Sequence, residues 1–289
     1  MAIVLENNII SIKINEVGAE LASLFRKDNK TEYLWHGDSK YWNRHAPTLF
    51  PIIGKLINDK TVIKGKECKI GQHGIARDLI HTLIEQSHRH ALYQLKSNEK
   101  TLENYPYEFL LTTEFIIIDN SVQITYTVKN PSNETIYFSL GFHPAFNWPL
   151  TTGDNKENYY IEFETKETAN RILFENGFIT GESKPWLKEE KKLDLCDDLF
   201  KDDVLIFKNL NSQKAWLKSK AHNKSLQVEF KDFPYLGIWT KPGNPFVCIE
   251  PWFGIADNIN SPRPFVDKEG IQKLTANKNF ECTITYSVL

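Results

Sequence analysis

Three ionisable side chains stand beside residues that bend or stiffen the backbone, Glu250 in VCIEPWFGIAD, His143 in GFHPAFNWP and His73 in GQHGIARD, and the last of these segments leads on to Arg77. Glu250 follows Phe246, Val247, Cys248 and Ile249 and precedes Pro251, Trp252 and Phe253. Such apolar company destabilises a carboxylate and biases its pKa upward, which suits a general base near neutral pH. The structural alternative is a carboxylate paired with an arginine. His143 has an ordinary pKa close to physiological pH, so in a pocket it can hold a proton and release it; outside one it would bond a backbone carbonyl. Arg77 is a planar donor able to fork onto hydroxyl or carboxylate oxygens, although a lone arginine is more often a surface residue. Histidine, arginine, glycine, proline and aromatics concentrated in three short segments form the mixture a pocket on a rigid scaffold needs.

Pro144 lacks a ladder donor and biases its predecessor toward extended geometry, which predicts His143 at a strand end where the chain leaves the sheet. Strands are signalled along the whole chain. Ile10, Ile12 and Ile14 alternate with polar residues, as do Val122, Ile124, Tyr126 and Val128, then Leu226, Val228 and Phe230, then Cys282, Ile284, Tyr286 and Val288. Asp119-Asn120, Lys64-Gly65-Lys66 and Pro131-Ser132-Asn133 read as hairpin turns. Long segments of 3.6-residue period are missing; DSKYWN near Asp38 and KLDLCDDLF near Asp194 allow a helical turn or two. The polar stretch TTGDNKENYY followed by ETKETANRI reads as an insertion loop or irregular strands. The expected architecture is all-β, a large antiparallel β-sandwich with few short helices, forming a single domain over residues 1–289.

The formal charge of -2 and a pI near 6.5, with scattered basic residues, give no sign of a nucleic-acid or anionic-membrane surface and favour a neutral small-molecule partner. MAIVLENNII lacks the features of a signal peptide, and no apolar run approaches spanning length, so a cytoplasmic location is expected. Cys68, Cys196, Cys248 and Cys282 lie far apart without a CxxC pair, which predicts reduced cysteines mostly in the core. His88-Arg89-His90 has the alternate spacing that puts two imidazoles on one strand face, yet no carboxylate follows within Ala91–Leu95, so a polar hairpin connection is expected there, not a metal. Phosphate loops, nucleophile elbows and HExxH are absent from the sequence.

Taken in order, YWNRHAPTLFPIIGKL, QHGIARD, GFHPAFNWP, FKDDVLIF and GIWTKPGNPFVCIEPWFGIAD resemble the aldose 1-epimerase (galactose mutarotase) family, closest to its LacX-like branch, nearly end to end. The resemblance implies a large antiparallel sandwich that interconverts sugar anomers without metal, nucleotide or other cofactor. It implies Glu250 as the general base at the C1 hydroxyl, His143 as the general acid at the ring oxygen, His73 as a holder of that oxygen and its neighbours, and Asp203 as a binder of sugar hydroxyls. Trp239, Trp252 and Phe142 are candidates for walls against sugar C–H faces, with core packing expected for at least one of them. The sequence departs from the better-known members at Ile57-Asn58-Asp59-Lys60, where they have an asparagine-arginine pair, and at Lys55, where arginine is common. Arg77 is the candidate to supply the missing donor.

Three readings compete. The first is a mutarotase acting on a monosaccharide, as a monomer or homodimer; within it, a related branch acts on hexose 6-phosphates, for which Arg44, Arg77 and Arg263 are available. The second is a carbohydrate-binding protein without turnover, which would not need both Glu250 and His143. The third is glycoside hydrolysis, which requires two opposed carboxylates, Glu250 with Asp203 or Asp257.

Overall fold

Wherever apolar and polar residues alternate, the chain is extended and buries one face, because successive side chains of a pleated strand point to opposite sides. The computed structural model describes residues 2–289. Within it, Ile10–Asn15 turns Ile10, Ile12 and Ile14 inward; Ser121–Lys129 does the same with Val122, Ile124, Tyr126 and Val128. Asn279–Val288 buries Cys282, Ile284, Tyr286 and Val288. Asp119-Asn120 turns Leu110–Ile118 into Ser121–Lys129, and Lys64-Gly65, both at positive φ, turns Lys60–Ile63 into Lys66–Lys69. Pro131-Ser132-Asn133 is different. No hairpin follows it, because the next strand, Ile136–Phe138, pairs with Gln272–Leu274 from far along the chain.

Fifteen strands form one antiparallel sheet, and the first four of the chain form a smaller one. The large sheet folds over on itself. Phe142 stacks on Tyr126 with ring centroids 4.0 Å apart, and Phe146 meets Tyr286 at 5.4 Å, although these partners come from opposite halves of the strand order. One apolar core fills the space between, giving the antiparallel sandwich. Helical pieces are short: Glu99–Asn104, closed by an Asn98–Thr101 capping box, and 3-10 turns such as Asp197–Phe200 in the KLDLCDDLF segment. DSKYWN makes a single turn, with Trp42 N–H donating to the Asp38 carbonyl at 2.9 Å. Cys68, Cys248 and Cys282 are buried, Cys196 is partly so, and none is bonded to another.

The polar middle of the chain is not a loop. Tyr159–Glu175 and Phe178–Asp194, 17 residues each, form one long hairpin with several register shifts, so the irregular-strand alternative is the correct one from Tyr159 onward. Much of it is solvent-exposed on both faces, which removes the alternation that betrays the other strands.

The strand Phe246–Phe253, buried along nearly its whole length, organises the rest. On one side it pairs with Tyr235–Trp239. On the other it takes two short strands in succession, Leu140–Phe142 and Ala145–Asn147. His143 and Pro144 interrupt these two, yet the chain does not leave the sheet as expected; it resumes pairing with the same partner. The outer neighbour changes instead: Gly141 and Phe142 face Leu49 and Thr48, whereas Ala145 N–H donates to His45 O at 2.9 Å.

The turn that carries His73 is tight. Gly74 has φ +79°, and a Cβ there would fall on the Phe50 carbonyl oxygen. Gly74→Ala should therefore destabilise the protein by about 1–3 kcal/mol from the backbone conformation, with steric displacement of Phe50 adding to it, read as a lowered urea midpoint with unchanged slope.

Candidate active site

Antiparallel register decides which side chains meet. Gly141 pairs with Trp252 and Ala145 with Cys248, so the same register carried through the intervening residues sets His143 across from Glu250. Directly opposed residues share a face. On the other flank Glu250 pairs with Gly237. The outcome is a contact of 3.3 Å between His143 Nδ1 and Glu250 Oε1, with the two residues 8% and 1% exposed. Gly237 leaves room for Trp252: a Cβ there would lie 2.5 Å from the indole Cη2.

Burial sets the protonation of this pair. It pushes the Glu250 carboxyl well above the usual carboxylate range, the Trp252 indole partly opposing and the Asp203 charge reinforcing the effect. Burial likewise drives the His143 imidazole down to about 3, helped by the positive charges of Arg77 and Arg44. The favoured resting arrangement is a carboxylic acid against a neutral imidazole. His143 Nδ1 has no well-formed hydrogen bond and the Trp252 indole Nε1 none either, so both are buried polar atoms with capacity to spare.

His73 is fixed by its backbone neighbours. Gly54 N–H donates to its Nδ1 at 3.2 Å, while its own N–H donates to the Gly54 carbonyl at 2.8 Å. An accepting Nδ1 places the proton of the neutral ring on Nε2, which makes His73 a donor. Burial, followed by the charge of His143 were it protonated and by Arg77, holds the ring neutral. Arg77 is anchored by an Nη2 bond to Gln72 O at 2.7 Å, its Nε buried without a hydrogen bond. Asp203 sits at φ +68° and accepts from Trp239 Nε1–H at 2.9 Å and from Val204 N–H at 2.9 Å.

Glu250, His143, His73, Arg77, Asp203 and Trp252 all line one cavity of about 590 Å³, as does Trp239. Phe142 does not; it belongs to the core against Tyr126 and Phe233. Trp42, Lys241 and the hairpin tip, Phe174 with Asn176 and Gly177, also line the cavity without having been singled out from sequence. Trp42 lies in a segment whose aromatics carried no spacing signal, and the tip lies on the strands whose alternation is lost. Two backbone bonds tie that tip to the strand-end loop: Ile179 N–H to Asp257 O at 3.0 Å and Ile259 N–H to Ile179 O at 2.9 Å. Arg44 is engaged by Asp78 at 2.8 Å and Arg263 lies in a separate small pocket. Asp257 is turned to Lys268 and to the Ile57 N–H, away from the cavity.

Among the described residues, the only histidine, cysteine or carboxylate group close enough to share a cation is His143, Cys248 and Glu250, with ligand atoms within 4.8 Å. Burial pushes both its carboxyl and its thiol upward, so a cation there would have to displace two protons. His90 instead bonds Glu114 at 2.9 Å.

A family model described as aldose 1-epimerase matches residues 1–262. Protein LacX (plasmid) of Lactococcus lactis subsp. lactis is 34% identical over 298 residues, covering 98% of this chain and 99% of that protein. A galactose mutarotase related enzyme from Lactobacillus acidophilus superposes with a TM-score of 0.95 at 33% identity, covering 100% of this chain and 97% of the other. A galactose mutarotase-like protein from Lactobacillus casei gives 0.94 at 33%, with 100% of both chains covered.

Three imidazoles, the buried His143 and His81 and the partly buried His73, are held below their ordinary pKa, His81 at about 4. Unfolded, they bind protons below about pH 6.5, so the unfolded state gains protons first and stability is lost as pH falls from there toward the folded values. Each contributes at most about 1.4 kcal/mol per pH unit in that window. Glu250, shifted upward, opposes one of them above its unfolded pKa. Urea midpoints should fall steeply between pH 6.5 and 4, and His81→Gln should flatten the slope by about one proton.

Proposed function

The chain belongs to the aldose 1-epimerase family, and on that premise we propose that it interconverts the α and β anomers of a free hexose, with Glu250 and His143 exchanging protons with the sugar. The observation that carries this reading is the 3.3 Å contact between a proton-holding carboxyl and a proton-accepting imidazole on the wall of a cavity large enough for a monosaccharide. A sandwich that only bound sugar would have no use for that pair.

Opening a hemiacetal removes one proton from the C1 hydroxyl and delivers one to the ring oxygen; the C1 to C2 bond then turns and the ring closes on the other face. Glu250 as base with His143 as acid requires a carboxylate and an imidazolium. The resting acid and neutral imidazole hold the same number of protons, so one proton passed from Oε1 to Nδ1, once a small rotation aligns the 3.3 Å contact, converts one arrangement into the other without uptake from solvent. Ring opening in that sense returns the pair to its resting form, and ring closure regenerates the ion pair. If neutral His143 begins as the base, the order reverses, and each turnover still passes once through imidazolium and carboxylate. His73, donating from Nε2, is suited to a sugar oxygen beside the pair, Arg77 and Asp203 to hydroxyls, and Trp252 and Trp239 to C–H faces.

A second reading within the same chemistry is favoured by charge. Lys55, Arg77 and Lys241 line the cavity, where Asp203 is the only carboxylate besides the protonated Glu250. Lys55 and Lys241 make no ion pair with any described residue, and an aldose carrying a phosphate would supply one.

Polarimetry or NMR on freshly dissolved α-glucose and α-galactose should show accelerated equilibration. Glu250→Gln should reduce it by about 10²- to 10⁴-fold with the far-UV spectrum unchanged; binding without acceleration by the wild type would refute turnover. The rate should stay level with pH while the pair holds one proton, falling toward pH 3, where His143 gains a second, and falling again on the high side as Glu250, shifted upward, ionises. If the substrate is a hexose 6-phosphate, it should be preferred over the free sugar, and Lys55→Gln should cost roughly tenfold in kcat/KM for the phosphate alone.

A further inference from the structure

We infer that Trp42 is a positioning residue for the acid–base pair: its indole face holds the His143 ring in place and stabilises the imidazolium formed in each turnover. This rests on the mutarotase reading above. The two rings are stacked, with centroids 4.8 Å apart and planes 29° from parallel. The remaining surroundings of His143 fix its orientation but offer no standing negative charge. Trp239 meets the ring edge-on at 5.4 Å and His73 at 5.5 Å. Cys248 presents a buried thiol within 4.8 Å, and Glu250 is itself held protonated at rest. Arg77 and Arg44 both oppose a positive charge on the imidazole.

A cation against the negative face of an indole is stabilised most when water is excluded, and tryptophan provides the strongest such face among the aromatic residues. Trp42 is held for the task. Trp35 Nε1–H donates to its carbonyl at 2.8 Å, its own N–H donates to Asp38 O at 2.9 Å, and its ring packs on Phe246 at 5.6 Å. The stack therefore persists whether or not His143 is charged, and its attraction rises as the proton arrives. That difference between the neutral and charged imidazole is what lowers the barrier, because only interactions stronger in the transition state accelerate the step.

The test compares Trp42→Phe and Trp42→Leu with site-specific mono-, di- and trifluorinated tryptophan at position 42, which keep the ring's shape while draining its face of negative charge. On whichever aldose the unmodified protein equilibrates fastest, Trp42→Leu should lower kcat about tenfold, Trp42→Phe should recover part of it, and kcat should fall stepwise with each fluorine while KM changes by less than about twofold. A fluorine series with constant kcat, or an effect confined to KM, would overturn the inference. Should the unmodified protein accelerate no aldose, the enzymatic reading has failed and the stack is judged separately: in substrate-free protein near pH 4, ring 15N shifts should report a protonated His143 fraction that shrinks along the fluorine series, and an unchanging fraction would overturn it.

Discussion

Everything at the site depends on one register. The two short strands Leu140–Phe142 and Ala145–Asn147 pair in the same phase with Phe246–Phe253, and that phase alone sets an imidazole against a carboxyl. A slip of one residue would send Glu250 to the opposite face, because side chains alternate with period two. The phase is pinned by burial on both sides: Val247 and Ile249 enter the core while Cys248, Glu250 and Trp252 take the other face. Tryptophan packing over Gly237 and Gly141 closes off alternatives, since neither glycine position tolerates a side chain beneath the indole. Core packing and site geometry are thus the same constraint viewed from two faces of one strand.

That constraint also explains the electrostatics. A position buried enough to be held rigidly is also a position where charge is unwelcome, so the carboxyl moves up and the imidazole moves down. Taken singly, each shift looks unfavourable for an acid or a base at neutral pH. Together they set a carboxylic acid 3.3 Å from a neutral imidazole, a proton holder beside a proton acceptor.

Much of this was legible in the sequence, for identifiable reasons. Period-two alternation at Ile10–Ile14, Val122–Val128 and Cys282–Val288 is a direct imprint of one buried face. Glycine beside His73 and proline beside His143 marked a tight turn and a break in pairing, whereas Pro251 after Glu250 sits within an unbroken strand; all three ionisable residues reach one cavity. What stayed hidden was long-range. Nothing local in Pro131-Ser132-Asn133 says that the following strand pairs with Gln272–Leu274, and nothing near Pro144 says that the chain returns to the same partner. Trp42 and the hairpin tip were illegible because they reach the cavity from loops and from strands exposed on both faces, where no pattern is imposed by a core.

The reach of that hairpin has a consequence for how such a protein can diverge. The His143–Glu250 pair is embedded in the middle of the sheet, whereas Phe174, Asn176 and Gly177 come to the cavity on the end of a long arm moored by a pair of main-chain bonds at Ile179. Changes in the arm's length or sequence would reshape the rim without disturbing the machinery beneath. Part of the cavity's mouth and the buried pair are thus written in separate stretches of polypeptide, so one can drift in sequence while the other is held fixed by the core.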